Sequence, residues 1–150
     1  MSITASGLFG LSLEKMMIDT LGESIEAEDM LAYLVQDGYT PDFNAHDFHA
    51  DLTNEISGGN YAADTITATE VTLSGGTLTF DHIDTLYDNG ASDDVTVSNA
   101  MAQVASTLVS GTATDQLIYL LDFVTAASST NSTFTTQINA SGAFTLDYTP

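Results

Sequence analysis

Apolar and polar residues alternate in the last part of the chain, which is the pattern of half-buried β-strands. The strand-favouring side chains recur at every second position, as Phe134, Thr136 and Ile138 and then as Phe144, Leu146 and Tyr148. The sequence N-A-S-G at positions 139–142 separates the two stretches and is typical of a turn. We therefore predict a terminal hairpin in which these two strands pair with each other.

A second hairpin is predicted around the sequence S-G-G-T at positions 74–77. Glycine tolerates the positive φ that tight hairpin turns require, so the glycine pair favours a turn at this point. We expect Val71 and Leu73 on the first strand to face Leu78 and Phe80 on the second.

Three further strands are indicated by apolar runs. Residues 30–35 predict a buried strand, and residues 117–124 predict the central strand of a sheet. Residues 95–110 fit either a strand followed by a helix or two strands; we favour strand because of their Val and Thr content. Ile83 and Leu86 are expected to extend the sheet of the second hairpin.

A short helix is predicted at residues 12–22, capped by Ser12, with Glu14 in its first turn and Gly22 at its end. Its apolar positions form one stripe: Leu13, Met16, Met17 and Leu21. We interpret this stripe as packing on the rest of the domain, with docking onto a partner subunit as the alternative.

Together these elements predict a mainly β protein, an antiparallel sandwich or jelly roll with a short N-terminal helix. A chain of 150 residues with 43% hydrophobic residues is long enough for one domain with its own core. We predict a single domain, with an N-terminal arm at 1–11, the helix at 12–22 and the sandwich at 30–148.

The charge of the chain is strongly one-sided. Lys15 is the single Lys or Arg beside 21 carboxylates, which gives a formal net charge of −20 with the three histidines neutral. Charged residues make up 15% of the chain, against about 25% in average proteins, so the bias reflects missing bases more than added acids. Nucleic-acid binding requires Lys or Arg to neutralise phosphates, so we expect no nucleic-acid partner.

Other compositional features limit the protein class further. The absence of cysteine excludes disulfides, thiolate metal sites and cysteine nucleophiles. The apolar run at 117–124 is too short to span a bilayer, and the first residues lack a basic segment before an apolar stretch. We therefore expect a soluble protein with neither a membrane partner nor a secretory signal.

Two acidic segments are candidate ion sites. His46 and His49 would share a face of a helical turn, and Asp42 or Asp51 could complete a metal shell. The segment lacks the Glu of the H-E-x-x-H motif, so we favour a structural role, a short helix with Phe43 and Phe48 packed inward. The loop from Asp88 to Asp94 carries oxygen ligands of the kind that calcium accepts, but it does not match the EF-hand pattern, and we favour a solvated turn.

No catalytic motif is present: there is no G-x-S-x-G, no phosphate-binding glycine loop and no dinucleotide fingerprint. We therefore predict no catalytic, cofactor or metal site and no enzymatic activity. A hydrolase with a carboxylate pair that no spacing marks is the least favoured alternative.

Residues 30–61 combine short motifs in a distinctive order. The motif residues are Tyr39, Thr40, Pro41 and Asp42, then His46, Asp47 and Phe48, then Asn54, Glu55, Ile56, Ser57 and Gly58, and Tyr61. This order resembles that of small virion structural proteins of tailed bacteriophages, in which Y-T-P-D precedes an acidic H-[DE]-[FYW] turn and N-E-[VI]-S-G. The closing strand, polar loop and A-x-G turn are also similar, so the resemblance covers roughly residues 12–148.

The resemblance implies a non-enzymatic virion component without catalytic residues. We expect a decoration or cement protein on the outer surface of the capsid, since so acidic a surface would repel packaged DNA. Its partners would be the major capsid protein or other virion proteins, and it would form a homo-oligomer. The alternatives are a tail, neck or fibre component and, in a different class, a carbohydrate- or calcium-binding β-sandwich module.

Overall fold

The computed structural model describes residues 3–18, 25, 30–67, 69–87, 94–107 and 115–147, and nearly half of them lie in β-strands. The strands are β1 (Gly7–Leu8), β2 (Met30–Gln36), β3 (Asp64–Ile66), β4 (Glu70–Ser74), β5 (Thr77–Asp81), β6 (Thr85–Tyr87), β7 (Val97–Thr107), β8 (Leu117–Ser129), β9 (Phe134–Thr136) and β10 (Phe144–Asp147). Helix α1 (Gly10–Met17) and a 3₁₀ helix (His49–Asp51) complete the described elements. Neither of these two helices is long and apolar enough to cross a membrane.

A five-stranded sheet in the order β1-β8-β7-β2-β3 forms the centre of the fold, and its neighbouring strands are antiparallel. Successive side chains of a strand point to opposite faces, and both faces of this long sheet are covered. Leu34 packs into one apolar cluster and Val35 into the other, and both are fully buried. This double burial explains why β2, β7 and β8 contain continuous apolar runs rather than a strict alternation.

The two faces are covered by different parts of the chain. On one face, the N-terminal residues and the segment 39–52 contribute Ile3, Phe9, Tyr39, Phe43 and Leu52. On the other face, the smaller sheets contribute Phe80, Tyr87, Phe134 and Phe144. The smaller sheets have the strand orders β10-β5-β4 and β6-β9.

The fold class predicted from the sequence is confirmed: the protein is mainly β, with antiparallel sheets and one short helix near its N-terminus. The glycine hairpin is also confirmed, because β4 pairs with β5 and Val71 and Leu73 face Phe80 and Leu78. Gly75 and Gly76 both have positive φ, 57° and 85°, as a type I′ turn requires.

The segment for which strand was favoured over helix forms β7 throughout its described part, Val97–Thr107. The apolar run at 117–124 lies inside the long sheet as the first part of β8, between β1 and β7, whereas β7 occupies the central position.

The predicted terminal hairpin is wrong, because β9 and β10 do not pair with each other. β9 pairs with β6, and β10 adds to the edge of β5. Gly142, with φ 94°, lies so close to β5 that a Cβ there would be 2.8 Å from the Phe80 carbonyl oxygen. Alternation in the sequence indicates which side chains of a strand are buried, but it does not select the partner strand. The partner is selected by an available sheet edge and by aromatic contacts, such as that of Phe80 with Phe144, whose ring centroids are 5.1 Å apart.

The expected extension of the hairpin sheet by Ile83 and Leu86 is also wrong. Both side chains are exposed, Ile83 at 56% and Leu86 at 42%. β6 instead buries Thr85 and Tyr87 and forms a separate sheet with β9.

The N-terminal helix exists, but its predicted bounds and cap are wrong. It begins at Gly10, within the predicted arm, and Phe9 occupies the cap position without a side-chain hydrogen bond. Ser12 is fully buried and donates its hydroxyl to the Leu117 carbonyl, so it joins α1 to β8. The predicted stripe does not pack as a whole, since Met17 is 80% exposed while Met16 contacts the core. Leu21 and Gly22 lie outside the described residues.

Candidate functional site at the bulged end of the long sheet

The histidines of the predicted metal segment have separate partners. His46 Nδ1 accepts a hydrogen bond from the Tyr39 hydroxyl at 2.8 Å and a longer one from the Asp42 backbone N–H at 3.3 Å. Its lone pair is therefore engaged within the protein. Burial raises the pKa of the Tyr39 hydroxyl, which keeps it a donor to His46.

His49 and Asp51 also have structural partners. His49 Nε2 lies 3.0 Å from Glu55 Oε2, and its ring stacks on Tyr33 with 4.3 Å between the centroids. Asp51 Oδ2 accepts hydrogen bonds from the backbone N–H groups of Phe48 and Asp47, which lower the pKa of this carboxyl group. Within the described part of the chain, no group of three His, Asp or Glu side chains is arranged to hold a metal ion.

Phe43 and Phe48, which were predicted to pack inward, are both partly buried. Phe43 packs against the cluster that contains Phe9, with 5.3 Å between the two ring centroids. Phe48 is half-buried beside α1. Of the predicted acidic loop, Asp88 and its neighbours up to residue 93 lie outside the described residues, and Asp94 accepts a hydrogen bond from the Asn60 side chain.

Lys15, the single cation, is bonded inside the protein. Its Nζ lies 2.6 Å from Asp47 Oδ2 and 2.6 Å from Gln116 Oε1, and it sits over the Phe48 ring at 4.6 Å from the centroid. These contacts connect α1, the 39–52 segment and the start of β8. Its positive charge is therefore directed to the protein itself and not to an external anion.

A buried chain of polar side chains runs through the core beneath the smaller sheets. Ile83 O can only accept, so His82 Nδ1 donates to it at 2.6 Å, and His82 Nε2 then accepts from the Tyr119 hydroxyl at 2.6 Å. Gln103 Nε2 donates to the same hydroxyl at 3.3 Å, and its Oε1 accepts from Tyr87 at 3.4 Å. Burial lowers the pKa of His82, so the neutral ring that this direction requires is favoured.

Irregular backbone is concentrated at one end of the long sheet, which we call the bulged end (residues 35–37, 97–101 and 122–129). Of the four register shifts that involve β2, β7 and β8, three lie here. The largest is in β8, where Ala100 pairs with Ala127 but Ala102 pairs with Asp122. Four residues of β8 therefore lie opposite Met101 alone, which forces the strand to bulge outward.

Two left-handed residues, Asn99 and Val124, lie at the same end. Five described residues other than glycine have a positive φ: Asn54, Asn60, Asn99, Val124 and Asn131. Asn tolerates this conformation, but valine is β-branched and is a true outlier there. Val124 has φ 64°, is 72% exposed, and donates its backbone N–H to Asp122 Oδ1 at 2.8 Å.

The bulge borders an open groove of about 580 Å³. Its lining combines apolar and polar side chains: Gln36, Asp37, Asn99, Met101, Val124 and Thr125. A smaller groove of about 290 Å³ lies between the other side of the bulge and β9, with Asp122 and Phe123 in its wall. Residues 122–127 thus form a ridge between two concave surfaces. Such local strain in a folded protein is often retained at binding sites, and we take the larger groove as the candidate site.

Sequence reasoning did not find this site. The segment D-F-V-T-A-A at 122–127 contains no glycine, proline or asparagine that would indicate a left-handed residue. Asp122 within an apolar strand and Asn99 ahead of M-A-Q-V were the available signals, since both residue types favour irregular backbone.

Comparison with known proteins gives no match, whether the chain is compared with family models, with curated proteins or with solved structures. The resemblance to phage virion proteins therefore stays a prediction that rests on the motif order.

Proposed function

We propose that this chain is a non-enzymatic structural protein of a tailed virus, a decoration or cement protein on the outer surface of the capsid. The observation that carries the proposal is the state of Lys15. Its ammonium group donates hydrogen bonds to Asp47 and Gln116 within the protein. The chain has no other Lys or Arg to balance its 21 carboxylates, so its surface is strongly acidic. Such a surface repels DNA phosphates and favours a basic protein partner.

The fold supports a binding role in a second way. The long sheet is buried on both faces, so it forms a rigid support, and the bulged end places a concave surface at its end. A rigid site loses little conformational entropy when a partner binds. These features suit a protein that attaches to an assembled shell through shape, apolar contact and charge.

A sugar-binding module has less support. Carbohydrate sites commonly use exposed aromatic rings, whereas the large hydrophobic side chains that are most exposed in the described part of the chain are aliphatic or Met: Met17, Ile18, Leu73, Ile83, Leu86 and Val124.

Particles produced by the genome that encodes this chain provide the test. Immunogold labelling should place tens to hundreds of copies over the head, and quantitative mass spectrometry of purified particles should give a matching copy number. Labelling confined to one vertex would select the tail, neck or fibre alternative. Antibody access only after the capsid is opened would overturn the outer placement.

A binding assay completes the design. Purified protein added to particles that lack it should co-sediment with them, and it should not shift a DNA fragment even at low salt, where phosphate contacts are strongest. Co-sedimentation that is lost with a chelator would indicate divalent cations between acidic surfaces. DNA binding that persists with Lys15→Gln, a variant without any Lys or Arg, would contradict the proposed use of the charge.

A further inference from the structure

We propose that the groove at the bulged end binds a lysine or arginine side chain on an extended segment of the partner protein. The identity of the partner as a virion protein rests on the proposed function. The recognition of a basic side chain rests on the groove itself.

The floor of the groove fits the aliphatic part of such a side chain. Met101 is 3% exposed and belongs to the buried cluster on this face of the sheet, and Val124 stands on the ridge beside it. Lysine and arginine side chains lay their methylene groups on apolar surface while the charged end stays at a polar rim. Methionine adapts its shape to such partners better than branched residues do.

The rim supplies negative charge and hydrogen-bond acceptors. Asp37 is exposed at the edge of the groove, and Gln36 and Asn99, whose side-chain amides contain acceptor oxygens, belong to the same lining. Gln36 donates its Nε2 to the Ser98 carbonyl at 2.8 Å, which fixes the amide in place. Guanidinium and ammonium groups have only donors, so a carboxylate with nearby carbonyls is a complementary set.

The electrostatic field at the groove is not offset by Lys15. The pairing of β7 with β8 gives the distance between Lys15 and the groove. Lys15 contacts Gln116, which precedes Leu117, and Leu117 pairs with Ser106 of β7. The bulge lies at Ala100, which pairs with Ala127, and Ala100 is six residues from Ser106, or about 20 Å along the strand. This distance is more than twice the screening length of about 8 Å at physiological salt. Lys15 therefore does not cancel the attraction of the Asp37 carboxylate for a cation at the groove.

The groove is also formed before any partner binds. Asp122 Oδ1 holds the Val124 backbone N–H at 2.8 Å, and Ser128 Oγ accepts the Asn99 backbone N–H at 2.9 Å. These two bonds fix the left-handed residues on both walls. Strained conformations that the surrounding structure maintains cluster at functional sites.

An NMR titration with small probes tests the proposal directly. Acetyl-arginine methylamide should shift the Met101 and Val124 methyl signals with saturation, and acetyl-norleucine methylamide, which keeps the aliphatic stem without the charge, should bind at least 5-fold more weakly. Equal shifts with both probes would mean a merely apolar cavity, and no shift at these methyl groups would mean that the groove does not bind the side chain. Either result would overturn the proposal.

A matched pair of variants separates local recognition from overall charge. Asp37→Asn should weaken arginine-probe binding about 3- to 5-fold, the size expected of one exposed ion pair. Glu70→Gln removes the same charge from the exposed strand β4, away from the groove, and should change binding less than 2-fold. Equal effects of the two variants would show attraction by net charge alone and would contradict the site.

The same variants distinguish this inference from the proposed function. If the groove binds the arginine probe but the protein does not bind capsids, the groove stands and the capsid function fails. If the protein binds capsids and Asp37→Asn binds them as well as the native chain does, the function stands and the groove is not the attachment site.

Discussion

The long sheet has two regions of opposite character. In its buried half (residues 30–34, 102–107 and 117–121), β2, β7 and β8 run side by side with nearly all side chains enclosed. At the bulged end, the same three strands shift register, expose Val124 and border the larger groove. Close packing determines the backbone in the first region, whereas side-chain-to-backbone hydrogen bonds determine it in the second.

This difference indicates how the protein combines a stable fold with a strained site. The buried half contributes apolar surface on both faces, which supplies most of the folding free energy. It can therefore support a local conformation at the bulged end that costs about 1–3 kcal/mol. The comparison predicts that substitutions have large effects in one region, and small or even opposite effects in the other.

The largest expected effect comes from a cavity in the buried half. Leu120 is fully buried in β8, and Leu120→Ala should lower the free energy of unfolding by about 3 kcal/mol, measured by urea denaturation. Thr125→Ala in the same strand serves as the control and should change it by less than about 0.5 kcal/mol, since the side chain is exposed. Similar losses in both variants would remove the distinction between the two regions.

A smaller loss is expected from the buried polar chain. Tyr119→Phe removes the hydroxyl that donates to His82 and accepts from Gln103, so two buried groups lose their partner. The free energy of unfolding should fall by about 1–3 kcal/mol. Tyr87→Phe removes the long 3.4 Å bond to Gln103 and an interaction with Thr136, and it should cost less because it leaves the 2.6 Å bond between Tyr119 and His82 intact. If Tyr87→Phe were the more damaging change, the bond between Tyr119 and His82 would not be the main support of this polar chain.

His82 should make stability depend on pH. Because burial lowers its folded pKa below the ordinary value of about 6.5, the unfolded chain binds more protons between these two values. The stabilisation is present above pH about 6.5 and is lost as the pH falls through the folded pKa. Asp81 and Asp84 oppose the shift, and the Tyr119 hydroxyl would lose its acceptor if His82 were protonated.

The measurement is a series of urea titrations from acidic to neutral pH on the native chain and on His82→Gln. The difference in unfolding free energy between the two should increase with pH within this window. A constant difference would show that His82 keeps the same pKa in the folded and unfolded states.

The sequence predicted the regular part of this architecture better than the bulged end, for a physical reason. The turn at Gly75 and Gly76 depends on local backbone preference, and the buried strand that begins at Met30 depends on an apolar run, so both follow from local pattern. The pairing of β10 with β5 depends on Phe80 and Phe144, which are far apart in the chain. No local pattern contains that information.

The candidate site was missed for a related reason. Valine disfavours positive φ, but Val124 adopts φ 64°. The strand pairs on either side of it, Ala102 with Asp122 and Ala100 with Ala127, fix the length of the bulge. The short helix predicted for the histidine segment is present only as the 3₁₀ helix His49–Asp51, and the two histidines contact Tyr39 and Glu55.

A moderate loss of stability is expected when Lys15 is removed. Lys15→Met keeps the length of the side chain but leaves the Asp47 carboxylate, whose side chain is 17% exposed, without its cation. The free energy of unfolding should fall by about 1–2 kcal/mol, and the double variant with Asp47→Asn should recover part of it. Since the contact lies away from the bulged end, probe binding at the groove should stay unchanged. A changed affinity for the arginine probe would show that the two regions are coupled.

The last prediction has the opposite sign and tests the strain itself. Val124→Gly removes the side chain that clashes in the left-handed region, and it should raise the free energy of unfolding by about 1 kcal/mol. Asn99→Gly at φ 53° is the control and should change stability by less than about 0.5 kcal/mol, because asparagine already tolerates this conformation.

If the strain is retained for binding, the more stable Val124→Gly variant should bind the arginine probe more weakly, because the ridge loses its apolar wall. Stability and affinity would then change in opposite directions at one residue. A variant that is both more stable and equally able to bind would show that the valine serves neither the fold nor the groove.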